Sequence, residues 1–256
     1  MIPYFGATMF HLGPIPIQVW GTFVALGVLV ATATAAWLAR RRGQDTKVIW
    51  DTAFWALLGA MIGARIFHVL AYNPAYFFEH PWKLFAVWEG GESVIGGLIG
   101  GAIAGIWYLR RRKLNVLAYS DTALFGLPIG YAIGRIGCFL IHDHPGTLTH
   151  FILGVRYPDG VRHDLGLYAS LNGFILAGIF YLLYRKKAPM GAYTVTFLLW
   201  YGLTRFFLDF LRAKDGPIVD TRWIGLTPAQ YAAGVMVIGG FWCLYWVFFR
   251  KIKRAV

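Results

Sequence analysis

At 256 residues, with 58% hydrophobic and only 14% charged side chains and a mean hydropathy of +0.55, the sequence is too apolar for a water-soluble globular domain. The formal net charge of +12 raises a nucleic-acid reading. The distribution removes it: most basic residues lie in four short clusters between apolar runs, the pattern of membrane orientation signals.

Residues 1–16, a mixed segment with Pro3, Pro14 and Pro16, read as an interfacial hairpin. They lack the positive n-region and cleavage site of a removable signal peptide, so the first span is expected to stay in the protein. That span covers residues 17–39 and ends at Arg40-Arg41-Arg42. The second, 48–71, contains Arg65 and His68, and residues 74–89, aromatic and broken by Pro81, read as interfacial. The third, 93–109, carries Gly96, Gly97, Gly100, Gly101 and Gly105, overlapping small-residue patterns that let helices approach in lipid. Arg110-Arg111-Arg112-Lys113 follows, and a fourth span at 121–141 is expected to kink at Pro128.

The polar loop 142–164 holds a turn at 156–160, set between short strands. A fifth span at 165–184 ends in Arg185-Lys186-Lys187, and a sixth at 190–211 carries Arg205 and Asp209. After a second polar loop, 212–226, the seventh runs over 228–249 into a basic C-terminus. Basic clusters thus follow spans one, three, five and seven, which orients the chain. The expectation is an all-α polytopic membrane protein of about seven transmembrane helices, N-terminus outside and C-terminus cytoplasmic, with a small periplasmic loop region. It forms one integral-membrane domain over 1–256, with external loops at 142–164 and 212–226. Cys138 and Cys243 fall toward opposite faces of the membrane and are not expected to pair.

Arginine inside an apolar span is costly, by roughly 2.5–3.5 kcal/mol at a helix centre. Arg65, Arg135 and Arg205 each lie about 14 to 17 residues beyond the cytoplasmic start of their spans, roughly 21–26 Å in. Three guanidinium forks at one depth suit an anionic lipid head group. The plainer reading is pairing with a carboxylate, and Asp209, one turn after Arg205, is placed for it. Proton-handling side chains gather nearby: His142, Asp143, His144, His150, His163 and Asp164. No HxxxH-type spacing with a third ligand is present, so neither a metal site nor a cofactor is expected. Cys138, three residues after Arg135, reads as a packed thiol, with nucleophilic activation by the guanidinium as the alternative.

The stretch Gly134-Arg135-Ile136-Gly137, with Phe139 and Gly146, resembles the signature of the phosphatidylglycerol–prolipoprotein diacylglyceryl transferases. Further similarities run along nearly the whole chain: Trp20-Gly21, Gly63-Ala64-Arg65, Tyr72-Asn73-Pro74, Val87-Trp88-Glu89-Gly90-Gly91, Gly96-Gly97-Leu98, Arg162-His163, Tyr201-Gly202, Arg205-Phe206 and Gly225-Leu226-Thr227 with Gln230. Departures fall at Ile95, where the family has histidine, at Cys138 for asparagine, at Asp143 and Asp209 for glutamates, at Trp20 for tyrosine, and around Asp164 and Ala169.

The resemblance implies transfer of a diacylglyceryl group from phosphatidylglycerol to the lipobox cysteine of a prolipoprotein signal peptide, releasing glycerol phosphate, in the bacterial inner membrane. It makes Arg135 and Arg205 the stabilisers of the departing phosphate, with Arg65 in support and Asp209 orienting Arg205. Asp143 positions the head group or accepts a proton, and His163 is the remaining histidine base. Trp20, Gly96, Gly97, Gly134, Gly137, Cys138 and Gly146 belong to the substrate-binding surroundings. Two other readings remain open on the residues: a divergent homologue acting on a different acceptor, with Cys138 forming a covalent intermediate, and a non-catalytic phospholipid-binding or transporting membrane protein.

Overall fold

The computed structural model describes residues 1–72, 79, 80, 82, 93–215 and 222–249. Most of the interfacial segment 74–89, the motif at 87–91, the C-terminal basic cluster and the side chain of Ile95 lie outside the described residues. Among those described, the long helices are α1 (Val19–Arg41), α2 (Thr46–Tyr72), α3 (Val94–Arg111), α4 (Val116–Ile141), α5 (Leu165–Arg185), α6 (Ala192–Leu208) and α7 (Pro228–Leu244). They sit at the seven expected positions, with ends moved by a few residues. Six have the length and composition to cross a membrane. The exception, α3, has 18 residues, many of them glycine, and ends on Arg110 and Arg111. Large apolar side chains point outward, among them Ile103 (64% exposed), Ile238 (70%) and Trp242 (68%). Such surfaces fit lipid and not water, and the chain is a multi-pass membrane protein.

The chain divides into two compact units, Ala36–Ala123 and the rest, Met1–Ala35 with Leu124–Val256. In the first, α2 and α3 approach through glycine: a Cβ at Gly63 would lie 2.9 Å from Gly100 Cα, and one at Gly101 would lie 3.0 Å from the Ala56 carbonyl. The small-residue pattern therefore brings the two backbones together, as expected. Gly43, at φ +66°, closes α1 with the Gln44 N–H donating to the Ala39 carbonyl at 2.9 Å. Beyond that turn, Arg42 Nη1 donates to Asp121 Oδ2 at 3.2 Å and to Thr122 Oγ1 at 3.0 Å.

The other unit holds the rest of α1 and α4 together with α5, α6 and α7. A Cβ at Gly27 would lie 2.5 Å from the Gly130 carbonyl oxygen, so α1 and α4 cross at backbone contact. Ser170 Oγ donates to the Ala132 carbonyl at 3.0 Å, tying α5 to α4. Asn172 joins α5 to α6 through Thr204 at 2.9 Å and Trp200 at 2.8 Å. Thr227 and Gln230 form a capping box at the start of α7, where Pro228 takes the first helical turn.

Outside the helices, the expected N-terminal hairpin forms from β2 (Met9–Leu12) and β3 (Ile15–Gln18). Ile17, assigned to the first span from sequence, belongs to that hairpin. The turn at 156–160 joins β5 (Val155–Tyr157) to β6 (Gly160–Asp164), as its composition indicates. Two further strands, β1 (Ile2–Pro3) and β4 (Pro145–Leu148), complete a four-stranded sheet in the order β1-β5-β6-β4. A small β element therefore accompanies the helical bundle.

Candidate functional site

The last turns of α4 carry the signature residues. Arg135 lies with its guanidinium carbon 5.2 Å from the centre of the Tyr131 ring, a cation–π contact. Tyr131 meets Tyr201 of α6 edge-on, with ring centroids 5.5 Å apart. Arg205 follows Tyr201 by four residues, one turn further along α6. A pair of tyrosines thus joins the two arginines within one unit. Arg65, 5% exposed, lies on α2 in the other unit.

The expected partner of Arg205 is in place, with Asp209 Oδ1 3.0 Å from Arg205 Nη2. Asp209 is wholly enclosed. It also faces Arg212 Nε at 3.4 Å and accepts a close hydrogen bond from the Thr227 hydroxyl. Arg212 carries no sequence signal of this role, and Thr227 shows one only as part of the Gly225-Leu226-Thr227 motif. Thr227 reaches Asp209 across 18 residues, from the cap of α7, whereas Arg212 stands three residues on, just past the turn 209–211.

Cys138 is buried, with its sulfur 3.9 Å from Arg135 Nη1. Trp20, on α1, lies beside this turn, its Cα 3.3 Å from where a Gly137 Cβ would stand. Gly137 lets α1 close on this turn: a Cβ there would lie 2.8 Å from Phe23 Cβ. Gly134 leaves more room, its missing Cβ 3.9 Å from Val24 Cα. On α3, Gly96 is filled by α2, and Gly97 would meet the Ala60 carbonyl at an ordinary 3.6 Å.

The proton-handling residues separate into anchors and accessible groups. His142 stands in the left-handed region at φ 53°, uncommon for a non-glycine residue, and turns the chain sharply out of α4. Its buried ring donates or accepts through Nδ1 at 2.7 Å from Asp164 Oδ2. Tyr4 and Phe5 cover it, each with ring centroids 4.7 Å away. Asp164 also accepts from the Tyr157 hydroxyl at 2.9 Å and caps α5 through the Leu167 N–H at 2.9 Å. Burial and the neighbouring Asp164 push the Tyr157 phenol well above its ordinary value. His142 and Asp164 therefore fix the loop and are enclosed from any reactant.

His163 is half-buried, with Nδ1 2.8 Å from the Tyr168 hydroxyl. Burial lowers its pKa below 6.5, which favours the neutral imidazole that a base requires. It backs onto Gly146, where a Cβ would lie 2.7 Å from His163 Cβ and 2.6 Å from the Leu211 carbonyl. Next to it Arg162 donates to Asp159 at 2.7–3.1 Å, to Asp215 at 2.8 and 3.0 Å, and to the Gly146 carbonyl at 3.0 Å.

Asp143 and His144 are the accessible pair, in direct contact with each other and with side chains 34% and 24% exposed. With Cys138 they form a group whose potential ligand atoms all lie within 4.8 Å of one another. No helical spacing announces this trio. The turn at His142 creates it by folding the loop back onto α4.

A family model described as prolipoprotein diacylglyceryl transferase matches residues 7–246. Among similar proteins are three named phosphatidylglycerol–prolipoprotein diacylglyceryl transferase. The one from Nitrosomonas europaea is 32% identical over 253 residues, covering 96% of this chain and 91% of the relative. That from Pseudoalteromonas atlantica is 35% identical over 264 residues, covering 99% and 92%. That from Geobacter sulfurreducens is 34% identical over 243 residues, covering 92% and 90%.

Proposed function

This chain belongs to the prolipoprotein diacylglyceryl transferase family, and from that premise we propose that it moves the diacylglyceryl group of phosphatidylglycerol onto the lipobox cysteine thiol of a prolipoprotein, releasing glycerol phosphate. The observation that carries the reading on the chain's own residues is that Arg135 lies over Tyr131, which meets Tyr201 one turn before Arg205 on α6. Two guanidinium groups in apolar surroundings stabilise the negative charge that grows on a departing phosphate, and such stabilisation is worth more there than in water. Asp209 holds Arg205 in that role, and Arg65 is a supporting cation. Asp143 orients the head group, and neutral His163 takes the thiol proton.

Sulfur attacks the glyceryl carbon that bears the phosphate. The carbon–oxygen bond breaks, and its electron pair leaves with glycerol phosphate. The protein acts in the bacterial cytoplasmic membrane as one integral domain of seven spans, N-terminus outside, with the loops 142–164 and 212–226 on the outer side.

Purified protein, phosphatidylglycerol vesicles and a lipobox peptide test this directly. Expected are release of glycerol phosphate and a peptide heavier by one diacylglyceryl group. Replacing Arg135 by Lys is expected to lower the rate by about 10²–10³-fold, the usual loss when one stabilising donor is removed. Folded protein that releases no glycerol phosphate would refute the proposal.

A further inference from the structure

We propose that Cys138, Asp143 and His144 bind a zinc-class divalent ion whose fourth position takes the acceptor thiol, the last clause resting on the transferase reading above. Thiolate, carboxylate and imidazole are the ligand types such ions prefer. On a continuous helix Asp143 and His144 would lie about 7.5–9 Å further along the axis than Cys138. The left-handed His142, held by the buried Asp164, returns them to the last turn of α4 instead.

The ligand atoms then stand within 4.8 Å of one another. Tetrahedral zinc has ligands roughly 3.3–3.7 Å apart, so closure needs shifts on the order of 1 Å. The sulfur is buried while the Asp143 and His144 side chains are partly exposed, so the two outer ligands are the ones with room to move. Three protein ligands and an open position form the pattern of catalytic, not structural, zinc.

Charge and softness select what enters the open position. A thiolate and a carboxylate neutralise a divalent ion. Arg135, 3.9 Å from the sulfur, adds a positive charge beside the site. The remaining position therefore favours an anion, and a borderline-soft metal favours sulfur, while the guanidinium forks suit phosphate oxygens. A thiol bound to such an ion is deprotonated outright. Its proton passes to His163, the base named above, its sulfur attacks the glyceryl carbon, and glycerol phosphate departs with the electrons of the broken carbon–oxygen bond. The ion thereby assists the base by stabilising the thiolate that forms.

The test is titration of the full chain in detergent with Co²⁺. One ion per chain should bind, with a thiolate-to-cobalt charge-transfer band. C138S should abolish the band while the protein stays monodisperse. D143N and H144Q should each weaken binding at least about tenfold, no less than the cost of disturbing a metal site's surroundings. A lipobox peptide should then strengthen the band, and its serine analogue should not. Absence of Co²⁺ binding, or a band that survives in C138S, overturns the site. A band indifferent to the cysteine peptide, or transfer undiminished after chelation, overturns the thiol-binding role. Metal binding by protein that transfers nothing to any lipobox peptide upholds the site and sinks the transferase reading, so the two failures are separable.

Discussion

Replacing Asp209 by Ala is expected to destabilise the protein strongly and to disarm Arg205. The carboxylate is wholly enclosed, 3.0 Å from Arg205 and 3.4 Å from Arg212, and it accepts from Thr227. Removing one partner of a buried ion pair costs about 3–5 kcal/mol. The two arginine side chains are 17% and 24% exposed, and partial hydration brings the expectation to the lower end, about 3 kcal/mol. For a chain of this size that corresponds to a fall in Tm of roughly 6–12 °C. Thermal unfolding in detergent, followed by tryptophan fluorescence at one fixed scan rate, measures it. D209N retains an acceptor for the Thr227 hydroxyl and should fall between Ala and the native residue. The effects of D209A and R205A on glycerol phosphate release should be non-additive by about 0.5–3 kcal/mol, because the two act as a unit. A Tm within about 2 °C of the native protein, below the shift expected for 1 kcal/mol, together with strictly additive rates, would refute this account of Asp209.

Gly27→Ala puts a Cβ 2.5 Å from the Gly130 carbonyl and should cost about 1–3 kcal/mol by overpacking. Gly21→Ala, with nothing within 4 Å of its Cβ, should escape that clash, and paired melting curves compare them. Arg162 holds the Asp159 and Asp215 carboxyls below their ordinary value of 3.8. Their contribution is therefore present above pH 3.8 and lost as pH falls through the lowered values. Limited acid proteolysis should show the loop around 212–215 released only there, and R162Q should release it at neutral pH. Burial lowers the His163 pKa, so the native state favours neutral imidazole. That contribution is intact above pH 6.5 and declines as pH drops through the folded value, with an NMR titration midpoint below 6.5 as the check.

Long-range features of the chain are legible where composition repeats a local signal. Apolar runs ended by Arg40, Arg110 and Arg185 fix the first, third and fifth helices, and the Gly63–Gly100 contact follows from small residues spaced along α2 and α3. The Arg205–Asp209 pair is readable because four residues make one helical turn. What escapes reading is made by chain reversal. Asp164 looks like a loop carboxylate, yet it caps α5 and anchors His142. The two-residue strand Ile2–Pro3 pairs with Val155–Tyr157, a contact no local pattern encodes. Cys138 comes to face Asp143 and His144 only because His142 adopts a left-handed conformation.

All five guanidinium hydrogens of Arg162 are committed to Asp159, Asp215 and the Gly146 carbonyl. That cation consequently exerts little pull on an approaching anionic lipid, even though it sits in one of the most polar parts of the chain. A phospholipid gliding in sideways from the bilayer would meet no decoy there.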